Sequence, residues 1–291
     1  MQRRQFIHRL GTATIGSLAT PELVHHLWAK SKMKLGLVTY LWAKDWDVPT
    51  IIKNCTASGV LGVELRTEHA HGVDPGLPTA RQNDVKKMFA DSAVTLLGLG
   101  SNQDYHHPEP EKLKASIEKT KAFIRLSQAV GGSGVKVKPN AFPAGIPPQK
   151  TIEQIGRALN DLGRFGADYG QEIRLEVHGE VTQELPNIKA IMDIADHPNV
   201  KVCWNCNDQD LWGEGLAHNF NLVRHRFGLT VHVRELDLGP YPYQDLFNLL
   251  VASKYSGWVL LECRTDPADK VAALKQQQHV FQELIKKARR S

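Results

Sequence analysis

Cysteine is scarce in this chain. Cys55, Cys203, Cys206 and Cys263 are the only four in 291 residues, too few for a disulfide framework at this length. Cys203 and Cys206 form a single CxxC. No second pair completes a zinc site, and the motif ends an apolar run instead of opening a helix as a thioredoxin-type motif does. Small side chains in a crowded interior account for it, with a disulfide as the alternative if the protein is exported. Gly-rich phosphate turns are also missing. Neither GxGxxG nor GxxxxGK[ST] occurs, which removes the usual dinucleotide and P-loop readings. No apolar run is long enough to cross a bilayer. Aromatics make up only 7% of the residues, and the formal net charge of +5 sits partly in the first ten residues and in the Lys286–Arg290 tail. No basic stripe interleaved with aromatics is present, so nucleic acid is not an expected partner. No internal repeat or low-complexity linker divides the chain.

What remains is a globular composition, 42% hydrophobic and 23% charged, in a chain long enough to bury a full-size core. Its first residues stand apart. Arg3 and Arg4 precede Phe6 and Ile7, then a mildly apolar run leads from Leu10 to Ala19 with small residues at Ser17 and Ala19. A basic start, a weak apolar middle and small residues make a twin-arginine export signal. Residues 1–32 are therefore expected to be a leader, with a periplasmic destination and retention in the cytoplasm as the alternative. Residues 33–291 carry the fold.

From Met33 the sequence alternates. Short runs rich in Val, Leu and Ile are each followed by an amphipathic stretch. The apolar runs begin near Met33, Gly59, Ala93, Gly134, Ile173, Asn199, Phe227 and Gly257. Helices are expected from near Pro49, around Asp84–Ser92, from Glu109 to Val130, Thr151 to Tyr169, Leu185 to Ala195, through Leu216 and Phe220, from Tyr243 to Ser253 and from Pro267 to Ala288. Continuous apolar strands alternating with helices imply a parallel sheet covered on its outer face. Eight such units are the expected content of a single (β/α)8 TIM barrel, whose active site lies at the C-terminal ends of the strands.

Those ends carry polar pairs spaced by two. They are Glu64 and Arg66, Lys136 and Lys138, Glu176 and His178, Asn205 with Asn207 and Asp208, His232 and Arg234, and Glu262 and Arg264. Residues two apart in a strand share a face, so each pair points into the barrel mouth. Packing does not ask for this, because a buried charge must be paired or coordinated. Glu176, Asn205, His232 and Glu262 form an oxygen-rich set with one imidazole. Such a set suits one hard or borderline divalent ion, Mn²⁺, Mg²⁺, Co²⁺ or Zn²⁺. Trp42, Trp46 and Trp212 fall in loops on the same face, where they are candidates for stacking on a ligand or for serving as lids or interface anchors. His69, His71, His106 and His107 read as solvated loop residues.

The segments GVELR, LEVHGE, KVCWNCND, TVHVRE and LLECR resemble the strand ends of the xylose-isomerase-like TIM barrels, a family of sugar phosphate isomerases and epimerases. The resemblance covers roughly Lys34 to Ala288. It implies a metal held by Glu176, Asn205, His232 and Glu262, although the family usually has a carboxylate where this chain has Asn205. Asp208 lies where the family often has a substrate-contacting His. The resemblance also implies an activity: isomerisation or epimerisation of a sugar through an enediolate. Glu176 and Glu262 remove and return the proton next to a metal-polarised carbonyl. His178, Asp208, Arg234, Glu64, Arg66, Lys136, Lys138 and Trp42 are the expected substrate contacts. The excess of cationic groups points to a small sugar or sugar acid as the partner. The state of association, including a homo-oligomer, stays open.

Two alternatives share this pattern. One is metal-dependent elimination on an oxidised glycoside, which starts with the same proton abstraction. The other is a non-catalytic carbohydrate-binding barrel, which Asn205 favours and the two retained carboxylates oppose. The AP endonuclease relatives need extra histidines near strands two to four, where this chain has lysines.

Overall fold

The computed structural model describes residues 33–290. The described residues form one barrel of eight parallel strands, each followed by an α-helix. The strands are β1 Lys34–Val38, β2 Gly62–Arg66, β3 Thr95–Asp104, β4 Gly134–Lys138, β5 Glu172–Glu176, β6 Val200–Cys203, β7 Thr230–Val233 and β8 Trp258–Leu261. The helices are α1 Val48–Ser58, α2 Thr79–Ala90, α3 Pro110–Val130, α4 Pro148–Asp168, α5 Leu185–Ile194, α6 Gly215–Val223, α7 Tyr243–Ala252 and α8 Lys270–Ala288. Strand order runs β6-β5-β4-β3-β2-β1-β8-β7. The gap between β6 and β7 is bridged at Val202 and Phe227, where the Gly228 amide donates to the Val202 carbonyl at 2.9 Å. The fold is therefore a single (β/α)8 TIM barrel. The proposed leader with Arg3 and Arg4 lies outside the described residues. Among the described residues, no helix is long and apolar enough to cross a membrane.

Local chemistry sets the element ends. Asp47 accepts from the Thr50 amide at 2.9 Å and caps α1, with Pro49 in the first turn. The helix stops at Gly59, whose φ of 77° closes a left-handed cap that a side chain would strain. Two boundaries differ from the sequence expectation. Helix α2 starts at Thr79, five residues before Asp84, because its first turns are polar and carry no apolar stripe before Val85. Strand β3 runs on to Asp104, past a register irregularity between Gly100 and Asp104, because polar residues there hide the extension.

Two faces of the strands do different work. Leu37, Val63, Leu99, Val135, Val137, Ile173, Leu175, Val202, Val231 and Leu261 point outward and pack under the helices. Inside, Val38, Leu97, Trp258 and Leu260 form a small separate cluster. Opposite them the fully buried Arg174 reaches across the interior. It donates to the Leu97 carbonyl at 2.9 Å, the Ser133 hydroxyl at 2.8 Å and Glu172 Oε2 at 2.9 Å. Such a charge is tolerated only because these donors are used. Glycine supplies the space: a Cβ on Gly134 would lie 2.8 Å from Arg174 Cζ, and one on Gly62 would lie 2.5 Å from the Trp258 ring.

All four cysteines are buried and free. Cys206 Sγ donates to the His232 carbonyl at 3.5 Å, and Thr230 Oγ1 donates to Cys203 Sγ at 3.9 Å. The CxxC therefore lies in the packed interior, with both thiols free in this structure. Since the Trp258 ring is rigid, Gly62→Ala is expected to destabilise the barrel by about 1–3 kcal/mol through overpacking. The urea midpoint measures this, and an unchanged midpoint would mean that the ring moves aside at no cost.

Candidate active site

The strand-end pairs form two tiers. The inner tier is Glu64, Lys136, Glu176, Asn205, His232 and Glu262, each 9% exposed or less. The second member of most pairs, Arg66, Lys138, His178 and Arg234, is partly buried above it. The period of two in a strand places both members of a pair on one face, one level apart.

The inner tier is tied together through Glu176. Lys136 Nζ lies 2.8 Å from Glu176 Oε2. The other carboxylate oxygen, Oε1, accepts from the Asn205 amide at 3.1 Å and lies 3.4 Å from His232 Nδ1. His232 Nε2 in turn faces Glu64 Oε1 at 3.5 Å. Both ring nitrogens of His232 and both oxygens of Glu64 lack a hydrogen bond, so the imidazole stands at ion-pair distance between two carboxylates without bonding well to either.

The electrostatics follow from this packing. Burial works to raise the Glu176 carboxyl, but Lys136 and then His232 outweigh it and hold Glu176 well below the usual carboxylate range. Glu262 goes the other way: burial, and then the neighbouring charge of Glu176, push it up. Burial lowers His178 to about 4, so it stays a neutral ring near neutral pH. Burial and the adjacent Lys136 lower Lys138.

Oxygen and nitrogen atoms of Glu176, His232 and Glu262 all lie within 4.8 Å of one another and are buried. Unbonded atoms on His232, and a carboxylate raised for want of a counter-charge, are what a cation binding here would relieve. The residues therefore fit a divalent ion, with the His232–Glu64 contact as the outer carboxylate that orients a metal-bound imidazole. Asn205 lies beside Glu176 in this tier. It turns its amide N–H, not its oxygen, toward Glu176, so acting as a ligand requires the amide to rotate.

The remaining expected contacts are distributed as follows. Arg66 is held by His69 Nε2 at 3.1 Å and Asn102 Oδ1 at 3.4 Å, and its guanidinium lies over Tyr40. Lys138 Nζ reaches Asn102 Oδ1 at 3.4 Å. Arg234 does not pair with Glu235, whose carboxylate accepts from the Arg264 and Thr265 amides; the Arg234 Nε atom is buried without a partner. Asp208 and Arg264 are exposed.

Trp42 is a correction. It was a candidate for stacking on the substrate, yet in its loop it is 3% exposed and its indole donates to Thr265 Oγ1 at 3.2 Å, so it packs the first loop against the last. His71 is also no solvated residue: it accepts from the Val73 amide at 2.9 Å and contacts the Arg66 carbonyl at 2.7 Å. Sequence reasoning missed Asp210, which is buried, pushed up to about 7 by that burial and bonded to the Tyr241 hydroxyl at 2.7 Å. Nothing in DQDLW separates it from its exposed neighbour Asp208.

Residues 52–284 match the family model described as "Xylose isomerase-like TIM barrel". Among solved structures, the chain is similar to the apo form of 3-keto-D-glucoside 4-epimerase, YcjR, from E. coli, at 16% identity and TM-score 0.73, covering 87% of this chain and 100% of that one. It is similar to D-psicose 3-epimerase with D-tagatose from Clostridium cellulolyticum H10, at 14% identity and TM-score 0.72, covering 88% and 99%. It is also similar to the IolI protein with a binding zinc atom, at 14% identity and TM-score 0.75, covering 88% and 99%. At these identities the likeness is one of fold. A search of curated proteins gave no match.

The inner tier yields a pH-dependent prediction. Glu176 has a depressed folded-state pKa, so its contribution is present above the unfolded value near 4.5 and fades as pH falls through the folded value. Lys136→Met leaves Glu176 buried without its counter-ion. In chelator at pH 7 the variant is expected to lose about 3–5 kcal/mol. The loss should shrink as the pH falls below about 4.5, where protonated Glu176 needs no partner. Denaturant unfolding at pH 7 and pH 4 distinguishes this from a packing defect, whose cost would be the same at both.

Proposed function

We propose that this chain, which belongs to the xylose isomerase-like TIM barrel family, is a divalent-metal-dependent sugar isomerase or epimerase. The observation that carries the proposal is the inner tier: two buried carboxylates from separate strands, Glu176 and Glu262, converge with His232 within 4.8 Å. Two carboxylates reaching one cavity from separate strands suit the removal and return of a proton. The sugar epimerases and the zinc-bound IolI protein among the structural neighbours support the same reading.

Glu176, His232 and Glu262, with Asn205 after rotation of its amide, would hold the ion. When bound, it supplies a positive charge that polarises a substrate carbonyl and acidifies the neighbouring C–H. Glu176, kept ionised, takes the proton from that carbon and an enediolate forms. Glu262 returns a proton. Delivery to the same carbon from the other face epimerises the sugar, and delivery to the adjacent carbon isomerises it. His178 Nδ1 and Arg234 Nε are buried and unbonded, so they are available to hydroxyls of the substrate. Lys138 and Arg66 add positive charge at the rim, which favours an oxidised sugar or sugar acid. Lys136, paired with Glu176, and Glu64, facing His232, lie within the inner tier beneath it. Export through the leader at residues 1–32 belongs to the same proposal, and fractionation of cells expressing the full chain tests it.

The decisive experiment is metal analysis of the purified protein followed by solvent deuterium incorporation into a panel of ketoses, keto-glycosides and sugar acids. Exchange at one carbon is expected. Glu176→Gln and Glu262→Gln should each slow it by about 10²–10⁴-fold. Exchange with no sugar of the panel, or exchange that survives both substitutions, would sink the proposal. Release of a leaving group with exchange would move the assignment to elimination.

Asn205 makes a separate prediction. Asn205→Asp adds a carboxylate beside Glu176, so the metal-free protein should melt at a lower temperature and the divalent ion should bind at least about tenfold tighter, roughly 1.4 kcal/mol. Unchanged affinity would remove Asn205 from the ligand set.

A further inference from the structure

A second group of side chains of metal-ligating type stands at the C-terminal end of β3, apart from the inner tier. Asp104, His106 and His107 bring a carboxylate oxygen and two imidazole nitrogens within 4.8 Å of one another. His107 Nε2 lies 2.8 Å from Asp104 Oδ1, and His106 Nδ1 lies 3.4 Å from the same oxygen. The two rings lean together with centroids 4.3 Å apart. One carboxylate oxygen thus faces two ring nitrogens, and only one of them is at hydrogen-bonding distance. His106 Nδ1 is buried and has no hydrogen bond. A loop that only needed solvent would let one ring turn away.

The surroundings hold this arrangement in place. Asp104 is the last residue of β3 and pairs with Lys138 of β4. Its second oxygen, Oδ2, accepts from the Asn140 amide, which fixes the carboxylate plane. Asn140 adopts a φ of 60°, a conformation that Asn tolerates better than most residues. The next residue, Tyr105, is fully buried and its hydroxyl meets Thr120 of α3 at 2.8 Å. Gln154 of α4 donates to the Tyr105 and His107 carbonyls at 2.7 and 2.8 Å. The backbone on either side of His106 is therefore pinned, and both rings are presented from a fixed turn.

We propose that Asp104, His106 and His107 form a second cation site, taking a borderline first-row divalent ion of the Zn²⁺ class with water in the remaining positions. Two imidazoles and one carboxylate are the donor set such ions prefer. Bonds of about 2.0–2.2 Å in tetrahedral geometry put ligand atoms roughly 3.3–3.5 Å apart. The His106–Asp104 separation already meets this, and His107 has to open by about half an ångström. Asn140 is the outer partner that orients the carboxylate. The site is independent of the function proposed for the barrel mouth, because it shares no ligand with it.

The test uses the full chain stripped with chelator and titrated with Zn²⁺ against a chromophoric competitor. The double variant His106→Asn/His107→Asn is expected to bind one equivalent fewer than its parent. The same difference should appear in the Glu176→Gln/Glu262→Gln background, where the barrel mouth is disabled, so loss of one site is distinguishable from loss of the other. Asn140→Ala should keep the stoichiometry and weaken this site about 10–100-fold. Crystals of the unsubstituted chain soaked in Zn²⁺ should give an anomalous peak bonded to Asp104, His106 and His107, a result that does not depend on any variant folding. Equal stoichiometry in a folded double variant and its parent, or no anomalous peak beside Asp104, overturns the proposal.

Discussion

The contact on which the site depends is the one between Lys136 and Glu176, 2.8 Å apart and each 1% exposed. Neither charge could be buried alone: taking a single ion out of water costs several kcal/mol even after relaxation. The pair is tolerated because Glu176 spends its second oxygen on Asn205 and the edge of His232. The contact also selects which oxygen of Glu176 faces the cavity. Lys136 occupies Oε2, so Oε1 is the one turned to His232. A structural ion pair thus orients a group proposed as both ligand and base.

The barrel around it is built to let that contact form. Strand residues facing outward are apolar and continuous. The inward face changes character along its length, from the apolar cluster with Trp258, through the Arg174 layer, to the acidic tier at the C-terminal ends. Glycine at positions 36, 62, 100 and 134 is what fits these layers inside one ring, since a Cβ at each would meet Leu260, Trp258, Glu64 or Arg174 respectively at under 3 Å. Arg174 is a useful contrast to Lys136. It is equally buried, but its guanidinium bonds to a carbonyl, a hydroxyl and the partly exposed Glu172. Its role ends in structure, whereas the two tiers at the strand ends leave polar atoms of His232, Glu64, His178 and Arg234 unbonded.

Much of this was legible before any coordinates. The period-two pairing of Glu176 with His178, or His232 with Arg234, specifies both the face and the order of tiers, because a parallel strand admits only one alternation. The eight apolar runs specify the barrel, because each is too short for anything but a strand and each is followed by a helical period. What stayed hidden depends on long-range placement. Trp42 and Thr265 are 223 residues apart, and nothing local says that one loop will bury the indole of the other. The polar end of β3 up to Asp104 has no hydrophobic alternation to mark it as strand. Without that strand assignment, His106 and His107 appeared solvated. Asn205 was named as a ligand from its position, but the direction of its amide is decided by the partner across the barrel.

That direction bears on why an amide stands there at all. The inner tier holds three carboxylates, Glu64, Glu176 and Glu262, and one ammonium, Lys136. With His232 neutral, as a metal ligand must be, the tier carries a formal charge of minus two when all three acids are ionised. A divalent ion would bring it to zero. A carboxylate at position 205 would leave the loaded tier negative in a cavity from which water is largely excluded, and low dielectric makes such a residue of charge costly. Asn205 and Lys136 therefore make sense together. Lys136 supplies a fixed positive charge that Glu176 needs when no ion is present, and Asn205 lets the remaining acids match a doubly charged ion. The same amide can donate to Glu176 in the metal-free state and, once rotated, offer its oxygen in the loaded one. A carboxylate has no donor for the first of these states. Under the proposed function, an amide at this position would trade some metal affinity for a metal-free barrel in which Glu176 keeps a donor.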